Sequence, residues 1–152
     1  MEYIIAFDLS MSNTGVAIFS DDARLIAVES VATKSDELHQ RRLKRIADRM
    51  IELKNLYRPT KIIIEKGFFR FMASSEAIWK VNGVCQYIFW DIEQIQYAPA
   101  SVKKAVGGKG NMKKEEIRDV VSKMFANIEI SDEDQSDAVS VGLCFFMKEG
   151  II

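Results

Sequence analysis

The stretch YIIAFDLSMSNTGVAIF, Tyr3 to Phe19, joins two apolar runs through a short polar turn. Ile4, Ile5, Ala6 and Phe7 lead without interruption into Asp8, and Val16 to Phe19 resume the apolar character beyond Ser10, Ser12, Asn13 and Gly15. Two strands joined by Ser, Asn and Gly read as a hairpin. The hairpin also delivers a carboxylate to the edge of a core, where an ionised group needs a partner.

Outward from this hairpin the pattern stays extended and then changes period. Three antiparallel strands are expected at Tyr3 to Asp8, Thr14 to Ser20 and Arg24 to Ser30. Leu43, Ile46, Ala47, Met50, Leu53 and Tyr57 then recur at three- and four-residue steps, predicting an amphipathic helix that ends before Pro59. KIIIEKG follows as a strand whose unbroken isoleucine run suits burial on both faces, and Glu65 closes it. Ser74 to Phe89 reads as a helix, QIQYAP as a short strand stopped by Pro99, and Met112 to Phe125 and Gln135 to Lys148 as two further helices. The expected fold is α/β: a five-stranded mixed sheet, three antiparallel strands followed by parallel ones, with helices on both faces.

The totals bound the possibilities. The 152 residues, 48% of them hydrophobic, predict one domain spanning 1–152 around a sizeable core. No segment approaches the roughly 18 uninterrupted apolar residues of a membrane span, and no secretory leader is legible, so a soluble cytoplasmic protein is expected. Cys85 and Cys144 sit in apolar surroundings without CxxC spacing and read as buried thiols; the single His39 excludes a multi-histidine metal site. A formal net charge of −1 hides an uneven distribution. Between Arg41 and Lys61, a dense run of Lys and Arg faces only Asp48 and Glu52, whereas Glu129 to Asp137 is acidic without a base. The basic run is either a solvated helix face or part of an anion-binding surface.

Acids interrupt the core pattern at three places: Asp8, Glu65, and the pair Asp134 and Asp137 opening the last helix. Taken singly, Asp134 and Asp137 fit an N-cap and a first-turn acid, Asp8 a turn cap, and Glu65 an ion pair. Taken jointly, adjacent first and fourth strands set Asp8 beside Glu65, and the helix adds two carboxylates from one face. Such a cluster stays ionised only with cations, and an all-oxygen set selects Mg²⁺ or Mn²⁺. Two ions about 3.5–4 Å apart would serve phosphodiester hydrolysis. The segment YAPASVKKAVGGKGNMKKEE adds a glycine-flexed loop presenting Lys103, Lys109, Lys113 and Lys114, suited to phosphates, with an ordinary surface loop as the alternative.

The blocks AFDLSMSNTGVAIF, IIIEKGFF, YAPASVKKAVGGKGNMKKEEI and DQSDAVSVGL together resemble those of RuvC-type Holliday junction resolvases, members of the RNase H-like (retroviral-integrase) superfamily. The resemblance runs from Ile4 to about Phe146 and rests on the combined order and spacing of the blocks. It implies that Asp8, Glu65, Asp134 and Asp137 are metal-binding catalytic carboxylates, with two Mg²⁺ ions (Mn²⁺ substituting). It implies Lys103 and Lys114 near the scissile phosphate, and a homodimer nicking opposite strands of a four-way DNA junction. Phe68 is the positional match to a phenylalanine that wedges into the junction, with Phe69 the next candidate and Arg70 between the aromatics. Trp79 and Trp90 are assigned to core or dimer interface, and the helix Ser74 to Phe89 to the subunit contact. Leu9-Ser10 stands where cellular members carry Pro-Gly, and Glu65 is followed by Lys66-Gly67. With almost nothing after the last helix, the chain resembles bacteriophage-encoded members, which act in the bacterial host cytoplasm and of which some cut other branched DNA. The alternatives are a branched-DNA-binding protein with little cleavage, a resolvase-like RNA-processing nuclease, and an actin-like or sugar-kinase-type nucleotide-binding fold, which needs a second such domain.

Overall fold

The computed structural model describes residues 1–66 and 72–152, the side chains of 72–74 excepted. Its elements are β1 (Tyr3–Asp8), β2 (Asn13–Ser20), β3 (Leu25–Ala32), α1 (His39–Tyr57), β4 (Lys61–Glu65), α2 (Met72–Ile88), β5 (Glu93–Tyr97), α3 (Pro99–Gly107), α4 (Lys114–Met124) and α5 (Glu133–Lys148). The strands form one sheet in the order β3-β2-β1-β4-β5. β1, β2 and β3 pair antiparallel, while β4 runs parallel to both β1 and β5. This is the mixed sheet expected from the hydrophobic pattern.

Alternation along the strands sorts the core into two layers. Ile5, Phe7, Val16, Ile18, Ile62 and Ile64 bury against Ile46, Met50 and Leu53 of α1 and Val81 and Cys85 of α2. Ile4, Ala6, Ala17, Phe19 and Ile63 bury on the opposite face against α3, α4 and α5. Each large apolar side chain so buried contributes about 1.5–3 kcal/mol. The same parity places Asp8, two residues beyond Ala6, and Glu65, two beyond Ile63, on the α5 face. Cys85 and Cys144 are buried free thiols, and burial pushes the Cys85 thiol up to about 12.

One helix was not expected. Residues 99–107, anticipated as a loop after Pro99, form α3. Proline at the first helical position has no N–H to lose, so Pro99 starts the helix as well as stopping the strand. Val102 and Val106, four apart and buried, carry the apolar stripe that marks it. Lys103 therefore stands on a helix, and only the segment from Gly108 to Lys113 connects α3 to α4. The first turn of α5 also differs: Asp132 is the N-cap, its Oδ1 accepting from Gln135 N at 2.8 Å, so capping makes no demand on Asp134 or Asp137. Among the described residues, no helix is long and apolar enough to cross a membrane.

α5 is buried along most of its length and lies against β1 and β2. Gly15 permits the approach: it pairs with Asp8 across the hairpin, and a Cβ at this position would lie 1.9 Å from the Asp134 carbonyl oxygen. A side chain there is incompatible with the present seat of the helix.

Candidate active site

In a sheet built this way, the C-terminal ends of neighbouring parallel strands open a crevice where the chain departs in opposite directions. β1 leads away to β2 on one side, and β4 pairs on the other. Asp8 ends β1 and Glu65 ends β4. The first turns of α5 overhang this point and contribute Asp134 and Asp137, three residues apart and hence on one helical face. Carboxylate oxygens of Asp8, Asp134 and Asp137 all lie within 4.8 Å of one another. Glu65 stands outside that group of three but lines the same cleft, together with Ser10, Lys103, Lys114 and Ser140. The cleft encloses about 380 Å³.

Charge is concentrated here beyond what the protein alone accommodates. Burial, then Asp137, Glu65 and Asp134, pushes the Asp8 carboxyl up to about 9. Burial likewise raises Glu65, helped by Asp137 and opposed by Lys103 and Lys114. Asp137 is raised by burial, with Lys114 opposing from 3.6 Å. Lys114 is in turn held above its ordinary range, chiefly by Asp137. A cluster that retains a proton on one carboxyl, built only from hard oxygen donors, fits a divalent cation: the ion replaces the proton and removes the repulsion.

The sign of the resulting pH dependence is fixed by linkage. Asp8 binds its proton more tightly in the folded protein than at its ordinary value of 3.8, so the folded state holds more protons between 3.8 and about 9. This contribution to stability is complete below the lower value and is lost as the pH rises through the upper one. In EDTA the melting temperature is expected to fall from about pH 6 to 9, and saturating Mg²⁺ or Mn²⁺ to flatten the slope, measurable by scanning calorimetry.

Of the lysines expected near phosphate, Lys103 and Lys114 line the cleft, whereas Lys109 and Lys113 are exposed beyond it, Lys113 at the N-cap of α4. Phe68, Phe69 and Arg70 lie outside the described residues. Trp79 and Trp90, assigned to core or dimer interface, are not core residues: they are 51% and 77% exposed. The sequence reading passed over Asn13, whose Nδ2 donates to Asp134 Oδ2 at 2.7 Å. No local signal marked it, because the partner is 121 residues away in the chain.

Known proteins match this chain over nearly its whole length. The family model described as crossover junction endodeoxyribonuclease RuvC matches residues 4–145. The crossover junction endodeoxyribonuclease RuvC of Francisella philomiragia is 29% identical over 148 residues, covering 94% of this chain and 86% of that protein. Thermus thermophilus RuvC in complex with Holliday junction substrate superposes with a TM-score of 0.84 at 23% identity, over 99% of this chain and 98% of that one. The fowlpox virus resolvase in complex with substrate Holliday junction DNA has a TM-score of 0.64 at 17% identity, over 97% and 98%. The two structural likenesses establish the RNase H-like fold of the resolvases. With its family model matched from the first strand to the last helix, the chain belongs to the RuvC crossover junction endodeoxyribonuclease family.

Proposed function

We propose that this protein, as a single nuclease domain over 1–152, resolves Holliday junctions as a divalent-metal-dependent DNA endonuclease. The observation that carries this reading is the convergence of Asp8, Asp134 and Asp137 within 4.8 Å, beside Glu65 and two lysines in one cleft. Asp8, Glu65, Asp134 and Asp137 would hold two Mg²⁺ ions, with Mn²⁺ substituting. When bound, such a pair supplies an activated water and stabilises the leaving oxygen of the phosphodiester. Lys103 and Lys114, at the cleft, place a phosphate against the carboxylates and offset its charge there. Lys109 and Lys113, outside it, suit backbone phosphates flanking the cut. Phe68, Phe69 and Arg70 keep the junction-contact role that the family resemblance implies. The enzyme acts where bacterial DNA lies, in the cytoplasm.

A homodimer fits the surface of α1 and α2. Ala47, Ile51, Trp79, Val84 and Tyr87 line a shallow apolar hollow there, with Tyr87 79% exposed. Gly83 lies in the hollow's wall, and a Cβ on it would meet nothing within 4 Å. Glycine inside a helix costs about 1 kcal/mol relative to alanine, so its presence on an open face suits close approach of a second helix.

The test uses an immobile four-way junction, the matching linear duplex and a structured RNA, each with Mg²⁺, Mn²⁺ or EDTA, read by strand mapping. Paired symmetric nicks in the junction that require metal support the reading. Tight junction binding without cutting under any divalent ion, or cutting of RNA in preference to the junction, overturns it. Tyr87→Glu is expected to convert a sedimenting dimer into monomer and to uncouple the paired nicks; an unchanged dimer removes this face from the interface.

A further inference from the structure

Asn13 opens β2, and its side-chain amide stands between two carboxylates of α5. Nδ2 donates to Asp134 Oδ2 at 2.7 Å and leans toward Asp132 Oδ2 at 3.4 Å. Both neighbours are acceptors, so chemistry requires the nitrogen, not the oxygen, to face them. Asp132 is itself held: Ser30 Oγ donates to its Oδ2 at 2.7 Å, and its Oδ1 caps the helix at Gln135 N. Gln135 Nε2 donates to Ser30 Oγ at 3.3 Å and closes the ring of contacts. The amide is thus anchored to the hairpin by its backbone and to the helix cap by its side chain.

We propose that Asn13 is a positioning residue for the metal centre, fixing the carboxylate plane of Asp134 so that its orientation is set before an ion arrives. The inference rests on the reading of Asp8, Asp134 and Asp137 as a metal site. A carboxylate tied through one oxygen to a rigid donor loses rotation about Cβ–Cγ, and that lost freedom need not be removed again on binding. The donor's neutrality matters as much as its reach. A lysine or arginine at this position would subtract from the negative charge that attracts a dication, as Lys114 already does at Asp137. An amide orients Asp134 and leaves its charge intact.

The test is a Mn²⁺ titration of the metal-free protein followed by electron paramagnetic resonance, wild type against Asn13→Leu. It is paired with the metal dependence of junction cleavage and with melting in EDTA. Asn13→Leu keeps the γ-branched skeleton and removes the donor. Its Mn²⁺ affinity is expected to fall about 10–100-fold, the range found when the partner of a metal ligand is lost. The metal concentration for half-maximal cleavage should rise in parallel, with metal-free junction binding unchanged. A purely structural role would lower the melting temperature and leave the affinity of the folded protein as it was, and that result overturns the inference. Should the leucine variant not fold, Asn13→Ser, too short to reach Asp134, carries the same expectation. A wild type that binds no Mn²⁺ refutes the metal-site reading together with the inference. A wild type that binds, with both variants binding equally well, refutes the inference alone.

Discussion

Asp8→Asn should abolish junction cleavage while leaving junction binding intact. The loss should exceed the roughly 10–100-fold that removal of a mere ligand partner costs, because Asp8 supplies an oxygen at the centre of the cluster. Binding should persist because Lys103, Lys109, Lys113 and Lys114 are untouched, and an amide in place of Asp8 adds no charge that would repel DNA. The same variant carries a stability signature that a nonspecific defect would not. At neutral pH Asp8 is protonated in the metal-free protein, its carboxyl being pushed up to about 9, so an amide closely replaces it. Above about pH 4 the unfolded wild-type chain gains by releasing the Asp8 proton while the folded protein, whose site is crowded and poorly solvated, retains it; the variant has no such proton. In EDTA the wild type should therefore lose stability relative to the variant throughout the interval from about pH 4 to 9, the gap widening with pH and becoming constant once Asp8 ionises above about 9, with the variant the more stable. Cleavage at the wild-type rate would remove Asp8 from the metal site. Parallel curves across the pH range would show that its charge is already compensated.

Among the described glycines, Gly15→Ala should be the most damaging addition of a single methyl group. The new Cβ would lie 1.9 Å from the Asp134 carbonyl oxygen and 2.4 Å from its carbon, both backbone atoms that no rotamer change moves aside. β2 or the first turn of α5 must shift. Overpacking of this kind costs about 1–3 kcal/mol, and for a chain of this size each kcal/mol lowers the melting temperature by about 2–4 °C. The functional loss should be larger in proportion, because the residue displaced is a proposed metal ligand. A misplacement of about 1 Å can cost ~10²-fold in rate. Gly83→Ala provides the contrast, since nothing lies within 4 Å of its added Cβ. It should stabilise the monomer by up to about 1 kcal/mol through helix propensity while weakening any close helix pairing across the proposed dimer face. Calorimetry and single-turnover cleavage on the two variants separate packing at the site from packing between subunits. Wild-type activity in Gly15→Ala would mean that α5 is not held where the sheet now seats it.

The sheet was legible because its physics is local. The uninterrupted apolar runs of the hairpin, the unbroken run Ile62 to Ile64 and the three- and four-step pattern of α1 each lie within a few neighbouring residues. The carboxylates were legible for the related reason that an acid ending an apolar run contradicts the pattern around it. α3 was obscured by composition. Its lysines and flanking glycines resemble a phosphate loop, and its buried stripe is only Val102 and Val106.

By itself, the sequence determined the α/β mixed sheet, the four acids at the ends of elements, the lysines near them and the family they resemble, since each depends on residue type and short-range spacing. The tertiary structure decided three things. Asp8, Asp134 and Asp137 form the close group, with Glu65 beside it in the same cleft. Asp132, not Asp134, caps α5, so Asp134 and Asp137 are left to the cleft. Asn13 reaches across from β2 to hold one of them. Each of these is a distance between residues far apart in the chain, set by how closely α5 can approach the hairpin at Gly15. That approach is governed by side-chain volume between packed elements, a quantity that no local periodicity encodes.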